Sequence, residues 1–534
     1  MSLTIRERGT TVFHSIQANP NQGLQALASA TGIPKSSVHR HQQAIQRRAQ
    51  HPESAWWETD AGSAWLKRLV VFSLFFFGIK HGIGVGEVSQ FLKALRLDLH
   101  VGCSPSALAR VKQQLKDTIE AYGAAQAEHC QPEAGQGICV GGDEVFFGLP
   151  VLVLAELASG YLFTEVQCED RSYETWTEQI QHWWSQAGWE CHFMVSDRAK
   201  ALIKLATEGL GCVSVADWFH ALRSLGQPIG RALGHQQARL AQQMKTLTAQ
   251  REATTREAKR VELDQALAGL STQSDLLDQD QQRYHQAMTT LTLSLHPFHL
   301  DTQAPQTVSD ITPTFQTALT PLRDLGQTYG GQKAAQAIDS FEQHLPDIAR
   351  GLQAWWQWAL QSLAAQTPSI DVQNWVLGVL LPWVYWQQQM DKTHHPELKA
   401  HYQQAVNKAA HQLVSHPLTQ SMPADDRHVW IDWARWMANN YQRTSSAVEG
   451  RNGYLTRLHH SGRGFSPQTL KVLTIIHNFH LKRPDGTTAA QRLFGYDFPD
   501  LVEWVVDQMG DLPLARQSLK AQQPNPFHLE GFPA

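Results

Sequence analysis

Apolar and polar residues alternate with a helical period through the first fifty positions. In NPNQGLQALASATGIPKSSVHRHQQAIQRRAQ, Leu24, Leu27 and Ala28 form one apolar stripe, and Gly32 ends it with a residue that tolerates positive φ. Ile33 is an apolar turn residue, and SSVHRHQQAIQRR restarts a helix with Val38 and Ile45 facing inward. The pattern predicts helix, tight turn, helix within residues 1–50. Lys35, Ser36, Ser37, His39, Arg40 and Gln43 stay outward on the second helix. That is the composition of a recognition helix reaching base edges and phosphates; an ordinary basic helical hairpin is the alternative.

Residues 55–127 form a second helical region. Its most apolar run, LVVFSLFFFGI (Leu69–Ile79), has eleven residues where a membrane span needs about 20, so a buried helix is expected and no membrane partner. GVGEVSQFLKALRLDLHVGCSPSALARVKQQL predicts a second helix-turn-helix-like pair with Ser104 as N-cap and Pro105 at the first helical position. DNA binding and plain packing are both open for it. The pattern then changes to short runs rich in Val, Phe and Leu: ICVGGDEVFFG, PVLVLAELASGYLFTEVQ and CHFMVSDRA, separated by turn signals. SYETWTEQIQHWWSQAG reads as an amphipathic helix between the third and fourth strands, AKALIKLATEGLG as another helix, and CVSVADWF as a fifth strand. This order predicts a mixed α/β layer.

From about 225 to 440 nearly everything reads as helix. His235–His285 predicts a long antiparallel hairpin or short coiled coil, HPFHLDTQAPQT a loop, and AWWQWALQSL and NWVLGVLLPWVYW Trp-rich helices. At helical spacing among Leu and Val, these tryptophans are core rather than base-stacking platforms. The chain after Pro513 reads as a Gln- and Pro-rich tail.

Charge changes this picture locally more than globally. The net charge is −4, yet residues 1–50 hold six Lys/Arg against Glu7, and Arg443–Arg483 holds seven against Glu449. Both ends of the chain therefore carry basic regions suited to nucleic acid. The six cysteines form no CxxC pair, so neither a zinc ribbon nor a disulfide framework is indicated and a reducing, cytoplasmic setting is expected. No phosphate loop, GxSxG elbow or HExxH occurs, which argues against an NTPase, serine hydrolase or zinc protease.

Three carboxylates stand out. Asp143 lies in an apolar strand, where a charge is costly unless it is paired or bound to a metal. Glu144 points to the opposite face, so only one of the two can face a given site. Asp197 ends a strand and precedes a helix, which leaves an N-cap role open. Glu449, alone among arginines, fits Ser446-Ala-Val-Glu449 as a capping box, with Asn452 on the same helical face. Read together, two strand-end aspartates and a helix-borne glutamate can converge on two magnesium ions, since hard cations want carboxylate oxygens.

The set GGDEVFF, VSDRAKAL, VADWFHALRSL and TSSAVEGRNGYLTR resembles the DDE transposases of bacterial insertion sequences, in their Mutator-like branch. The resemblance covers about 137–225 and 441–495. It implies a multidomain α plus α/β chain with a ribonuclease-H-like core interrupted by an all-helical insertion. The expected divisions are 1–50 helix-turn-helix, 55–127 helical, 137–225 first part of the core, 226–440 insertion, 441–495 last part of the core, and 496–534 C-terminal helix and tail. TSSAVEGRN is similar to that family's glutamate motif, with Ser446 where Asn is frequent, and the spacing of Asp217 and His220 is similar to its aspartate–histidine motif.

Carried over, Asp143, Asp197 and Glu449 become catalytic metal ligands for two Mg2+ or Mn2+ ions. Glu144, Asp217, His220 and Asn452 become supporting residues, with Glu144 the alternative first ligand. Arg443, Arg451, Arg457 and Arg463 become DNA contacts. The implied activity is strand cleavage at terminal inverted repeats and strand transfer to target DNA, by a homodimer or larger assembly in the bacterial cytoplasm, associated with the nucleoid on DNA. A non-catalytic helix-turn-helix regulator, a nuclease without strand transfer and a helical scaffold are the rivals.

Overall fold

The computed structural model describes residues 5–133, 135–462 and 464–515. The chain divides into two compact units, Met1–Gln131 with Gly453–Ala534, and Pro132–Asn452. Helix makes up 72% of the structure, beside a small mixed five-stranded sheet.

The first unit begins with α1 (Ile5–Ala18), α2 (Leu24–Thr31) and α3 (Lys35–Ala49). Val12, Leu27, Ile33 and Val38 form its buried centre, with Ile16, Leu24, Ala28 and Ile45 packed around them. The predicted stripe is therefore the observed core, and α1 closes it by supplying Val12. Gly32 caps α2 in the left-handed region at φ 65°, a conformation that would cost an L side chain roughly 1–2 kcal/mol. This permits the sharp entry into α3.

Next come α4 (Asp60–Ser73), capped by Thr59 Oγ1 accepting from the Gly62 N–H, and a π-helical stretch, Leu74–Lys80. Asp60–Lys80 is long and apolar enough to cross a membrane, and half of it is buried inside the protein. The expected apolar helix over 69–79 is thus helical but changes pitch at Leu74, leaving Phe77 exposed. Then α5 (Val85–Ala94) leads to α6 (Pro105–Gln126), where Ser104 Oγ accepts from the Ala107 N–H at 3.2 Å and Pro105 begins the helix, as expected. The connection between α5 and α6 holds a 3-10 turn, Leu97–Leu99. It is longer than the 3–4 residues of a helix-turn-helix, so this pair lacks that motif's tight turn. Helices Pro467–Phe479, Ala489–Phe494 and Leu501–Gln508 complete the unit. The tail expected after Pro513 lies outside the described residues from 516 on.

The second unit is built on β1 (Gly137–Phe147), β2 (Leu149–Glu156), β3 (Leu162–Gln167), β4 (Glu190–Ser196) and β5 (Val213–Ala216), in the order β3-β2-β1-β4-β5. β1, β2 and β3 pair antiparallel, while β4 lies parallel to β1 and β5 parallel to β4. α7 (Tyr173–Ala187) precedes β4 and α8 (Lys200–Lys204) follows it. β5 is shorter than expected: it stops at Ala216 because Asp217 caps a helix, accepting from the His220 N–H at 2.9 Å.

That helix, α9 (Trp218–Ala253), and α10 (Glu257–Ser294) form the expected antiparallel hairpin. Contacts of Arg251 with Asp264, Gln237 with Gln281 and Tyr284 with the Gly226 carbonyl run down its length. α11 (Val308–Leu325), α12 (Gly331–Gln366), α13 (Ile370–Trp375), α14 (Leu381–Lys392), α15 (Pro396–Ser415), α16 (Pro417–Ser421) and α17 (Ala424–Asn439) follow. Trp355, Trp358, Trp375 and Trp386 are buried among them, as helical spacing among Leu and Val requires. α18 (Ser446–Gly462) carries Glu449.

Because Leu27 fills the centre of the three-helix core, Leu27→Ala is expected to destabilise α1–α3 by about 2–5 kcal/mol. Urea unfolding followed by circular dichroism should reveal a new early transition, while the sheet unit melts as before.

Candidate functional site

Strand register decides which side chains meet. Asp143 on β1 stands opposite Val153 on β2, which stands opposite Glu165 on β3, so all three share one face of the sheet. On the other side, Gly141 pairs with Val195 in parallel register. Two residues further on are Asp143, still on β1, and Asp197, just past the end of β4. The Gly141-Gly142 pair allows close approach there: a Cβ on Gly142 would lie 2.5 Å from Met194 Cε.

The first turns of α18 lie on this face. Asn452 Nδ2 donates to Asp143 Oδ2 at 2.7 Å. Its neighbour Arg451 makes a two-pronged pair with Glu165 at 2.6 and 2.7 Å, both side chains nearly inaccessible. Consecutive residues of one helix thus engage two strands of one sheet row. Glu449 Oε1 meets His220 Nε2 at 2.6 Å, on the first turn of α9. The capping-box alternative for Glu449 fails: helix begins at Ser446 itself, and the Glu449 carboxylate turns to His220 instead of the Ser446 backbone.

Electrostatics gather the three carboxylates. Burial pushes the Asp143 carboxyl up to about 6, and the charges of Glu449 and Asp197 add to the rise against hydrogen bonds from the Glu144 backbone and Asn452. Burial likewise raises Glu144, helped by Asp197 and opposed by Arg171, whose Nη1 lies 3.7 Å away. Burial alone would lower His220; the Glu449 hydrogen bond and the charges of Asp217, Glu449 and Asp143 outweigh it and raise the imidazole. Asp197 is exposed, and its Oδ1 accepts from the Ala199 N–H at 2.8 Å. Ala199 is the cap of α8, so Asp197 makes a local turn and is not the helix cap. The next residue, Arg198, sits at φ 69° and pairs with Asp347 on α12.

The remaining supporting residues divide clearly. Asp217 is buried and accepts from the His220 N–H, the Ser445 N–H and Ser445 Oγ. It ties the start of α9 to the segment leading into α18. On α3, Lys35, Ser36, His39, Arg40 and Gln43 are exposed and Ser37 partly so, with Gln43 and His39 in contact at 3.1 Å. Arg457 is exposed.

Two expected DNA contacts turn inward, Arg451 buried and Arg443 partly so. Arg451 is consumed by Glu165, and Arg443 Nη1 turns inward to the Leu295 and Thr292 carbonyls. Their arginine-rich context suggested phosphate binding, but each side chain satisfies buried acceptors. Arg463 lies outside the described residues. Glu165, Ser445, Arg198 and Asp347 were not anticipated. Of these, Glu165 was readable, because a carboxylate inside LFTEVQ raises the same question as Asp143.

A divalent cation suits this donor set chemically: hard oxygens, with the Asp143 carboxyl raised to about 6 by burial and then by the neighbouring carboxylate charges, a rise that a cation would oppose. Among the described residues, however, no three of His, Cys, Asp and Glu stand close enough to form a finished metal-holding group.

The raised Asp143 carboxyl has a testable sign. The folded protein holds that proton more tightly than the unfolded chain, so folding stability is fullest below about pH 4 and is lost as pH rises through about 6. In metal-free protein, Asp143→Asn should raise Tm by about 2 °C or more at pH 7.5 and leave it unchanged near pH 4. Equal shifts at both pH values would remove the electrostatic reading. Truncating Arg451 to Ala should cost about 3–5 kcal/mol, since it strands a buried carboxylate, and chemical denaturation measures that.

Residues 7–48, which span nearly all of α1–α3, match the IclR helix-turn-helix domain. Residues 376–521 match a family described as a family of unknown function (DUF6399). The second match contains Glu449, Arg451 and Asn452 and leaves out Asp143 and Asp197. No curated protein and no solved structure matches the chain. The chain therefore carries an N-terminal helix-turn-helix DNA-binding domain, which makes DNA its partner.

Proposed function

We propose that the protein is a DDE-type DNA transposase that binds the ends of its own element through α1–α3 and cleaves and joins DNA at the Asp143–Asp197–Glu449 face of the sheet. The observation that carries this reading is that Asp197 and Glu449, distant in sequence, both lie within electrostatic reach of Asp143, whose partner Asn452 stands one turn from Glu449 on α18. The strand order β3-β2-β1-β4-β5, with Asp143 on β1 and Asp197 just past the end of the parallel β4, supports the ribonuclease-H-like core. The helical block between Asp197 and Glu449 then stands as the insertion.

Asp143, Asp197 and Glu449 are the residues that would hold Mg2+ or Mn2+, two ions in this reading. When bound, the metal supplies Lewis acidity and charge neutralisation for in-line displacement at phosphorus. The chain's own groups hold the geometry. Asn452 fixes Asp143, His220 fixes Glu449, and Asp217 fixes the backbone before α18. The outward face of α3 holds the duplex through phosphates and base edges. In cleavage, a water oxygen bonds to phosphorus and the 3′-oxygen leaves as a hydroxyl. In transfer, that 3′-hydroxyl bonds to a target phosphorus and displaces a target 3′-oxygen. Paired element ends call for a homodimer or larger assembly.

One observation favours a second reading, a non-catalytic DNA-binding regulator: the carboxylates are close but not gathered into a finished metal-holding group. The deciding experiment uses labelled DNA carrying the terminal repeats that flank the gene. With Mg2+ or Mn2+, the wild type should nick and join this DNA. Glu449→Gln should reduce both at least 100-fold while leaving the Kd for the repeats unchanged. Nicked ends without joined product would indicate a nuclease. Binding without nicking by the wild type would establish the regulator.

A further inference from the structure

Arg443 is the most unusual charge in the second unit. Its guanidinium lies inside the protein, and its partners are neutral. Nη1 donates to the Leu295 carbonyl at 2.9 Å and the Thr292 carbonyl at 3.3 Å, both at the C-terminal end of α10. It also reaches His296 Nε2 at 3.2 Å. A helix C-terminus presents unpaired carbonyls and the negative end of the helix dipole, so a buried cation is stabilised there without a carboxylate.

The surroundings specify that arrangement further. His296 is fully buried, with Nε2 also facing the Tyr402 hydroxyl and Nδ1 facing the Tyr385 hydroxyl. A guanidinium can only donate, so Nε2 must accept and the ring proton sits on Nδ1, directed at Tyr385. Burial, with the Arg443 charge added, holds His296 well below the usual imidazole range. A neutral imidazole of fixed tautomer therefore completes the arginine's cage. Tyr441 adds a ring-lined wall beside Tyr385 and donates its hydroxyl to the same Leu295 carbonyl.

The backbone of the same short segment is held at the same open end of the hairpin, by the start of α9. The Arg443 carbonyl accepts from the Trp218 N–H at 2.9 Å, and Ser445 is held by Asp217 through both its N–H and its hydroxyl. Residues 443–445 are thus gripped by the first residues of α9 and by the last turn of α10. One residue later α18 begins, and the Glu449 N–H bonds to the Ser445 carbonyl at 3.0 Å.

We propose that Arg443 is a positioning residue: by anchoring residues 443–445 to the C-terminal end of α10, it sets where the first turn of α18 presents Glu449. The inference needs only the contacts above. Its use in catalysis rests on the proposed reading of Glu449, so its primary test involves neither metal nor DNA.

Hydrogen exchange read by mass spectrometry is compared for the wild type, Arg443→Lys, Arg443→Met and Tyr402→Phe. In Arg443→Met, peptides covering 445–452 should exchange at least 10-fold faster, while peptides from β1 and β4 keep their protection. Arg443→Lys, which keeps a charge but loses the fork, should fall between. Should Arg443→Met fail to fold, Tyr402→Phe serves instead, with a smaller loss confined to 445–452. Unchanged exchange over 445–452 in the folded variants, or loss spread evenly over the unit, overturns the proposal. If the wild type cleaves DNA, Arg443→Lys should lower turnover with DNA Kd unchanged. If the wild type does not cleave, the exchange result still decides the positioning role and only the reading of Glu449 fails.

Discussion

The carboxylate of Asp217 is the constraint on which the candidate site depends. Because it is buried, its oxygens must find donors. They find three, the His220 N–H and both donors of Ser445. These donors belong to segments more than two hundred residues apart in the chain, so satisfying one side chain closes the long helical excursion back onto the sheet. The same choice ends β5 at Ala216, starts α9 at Trp218 and places His220 one turn above its cap. His220 then meets Glu449 because both are fixed from the same point.

The second constraint is the sheet row Asp143–Val153–Glu165. A helix crossing that row can satisfy two strand carboxylates only if its donors have matching reach, and Arg451 and Asn452 provide one long and one short side chain. The two contacts differ in kind. Glu165–Arg451 is dry, bidentate and complete, the geometry in which a buried ion pair fixes one arrangement over its alternatives. Asp143 has only neutral donors, the Glu144 backbone and Asn452, and two carboxylate neighbours. Equal positions in one row therefore have unequal fates: one is matched by a cation and the other is not.

Much of this was legible in the sequence. Periodicity found two of the three N-terminal helices through Leu27, Val38 and Ile45, placed the strand carrying Asp143 and the strand that Asp197 follows, and read the tryptophans as packing; α1, which supplies Val12, was not read. The Gln-, Lys-, Glu- and Leu-rich pattern over His235–His285 gave the hairpin, which extends further at both ends, over 218–294. What was not legible depends on partners far away along the chain. Arg443 and Arg451 look like DNA contacts because local charge is visible and burial is not. Their acceptors, a helix end near Leu295 and Glu165 on β3, lie roughly 150 and 290 residues away. Glu449 posed the opposite problem: a local rule, the capping box, explained it fully until His220 was placed beside it. The shortened β5 has the same origin, since the apolar run Val-Ala-Asp-Trp-Phe favours strand until the cap at Asp217 is satisfied.

Placing Asp197 and Glu449 near the buried Asp143 opposes folding, because their charges add to the cost that burial already sets on ionising Asp143. A fold selected for stability alone would separate them or pair each with an arginine, as it pairs Glu165 with Arg451. Arginines are at hand in this segment, yet Arg451 goes to Glu165 and Arg443 to the end of α10, and Glu449 receives an imidazole whose charge can change. The cations are spent on fixing backbone around the carboxylates and withheld from the carboxylates themselves. That division of charge leaves Asp143 with neutral donors while Arg451 neutralises Glu165 on the same row of the sheet.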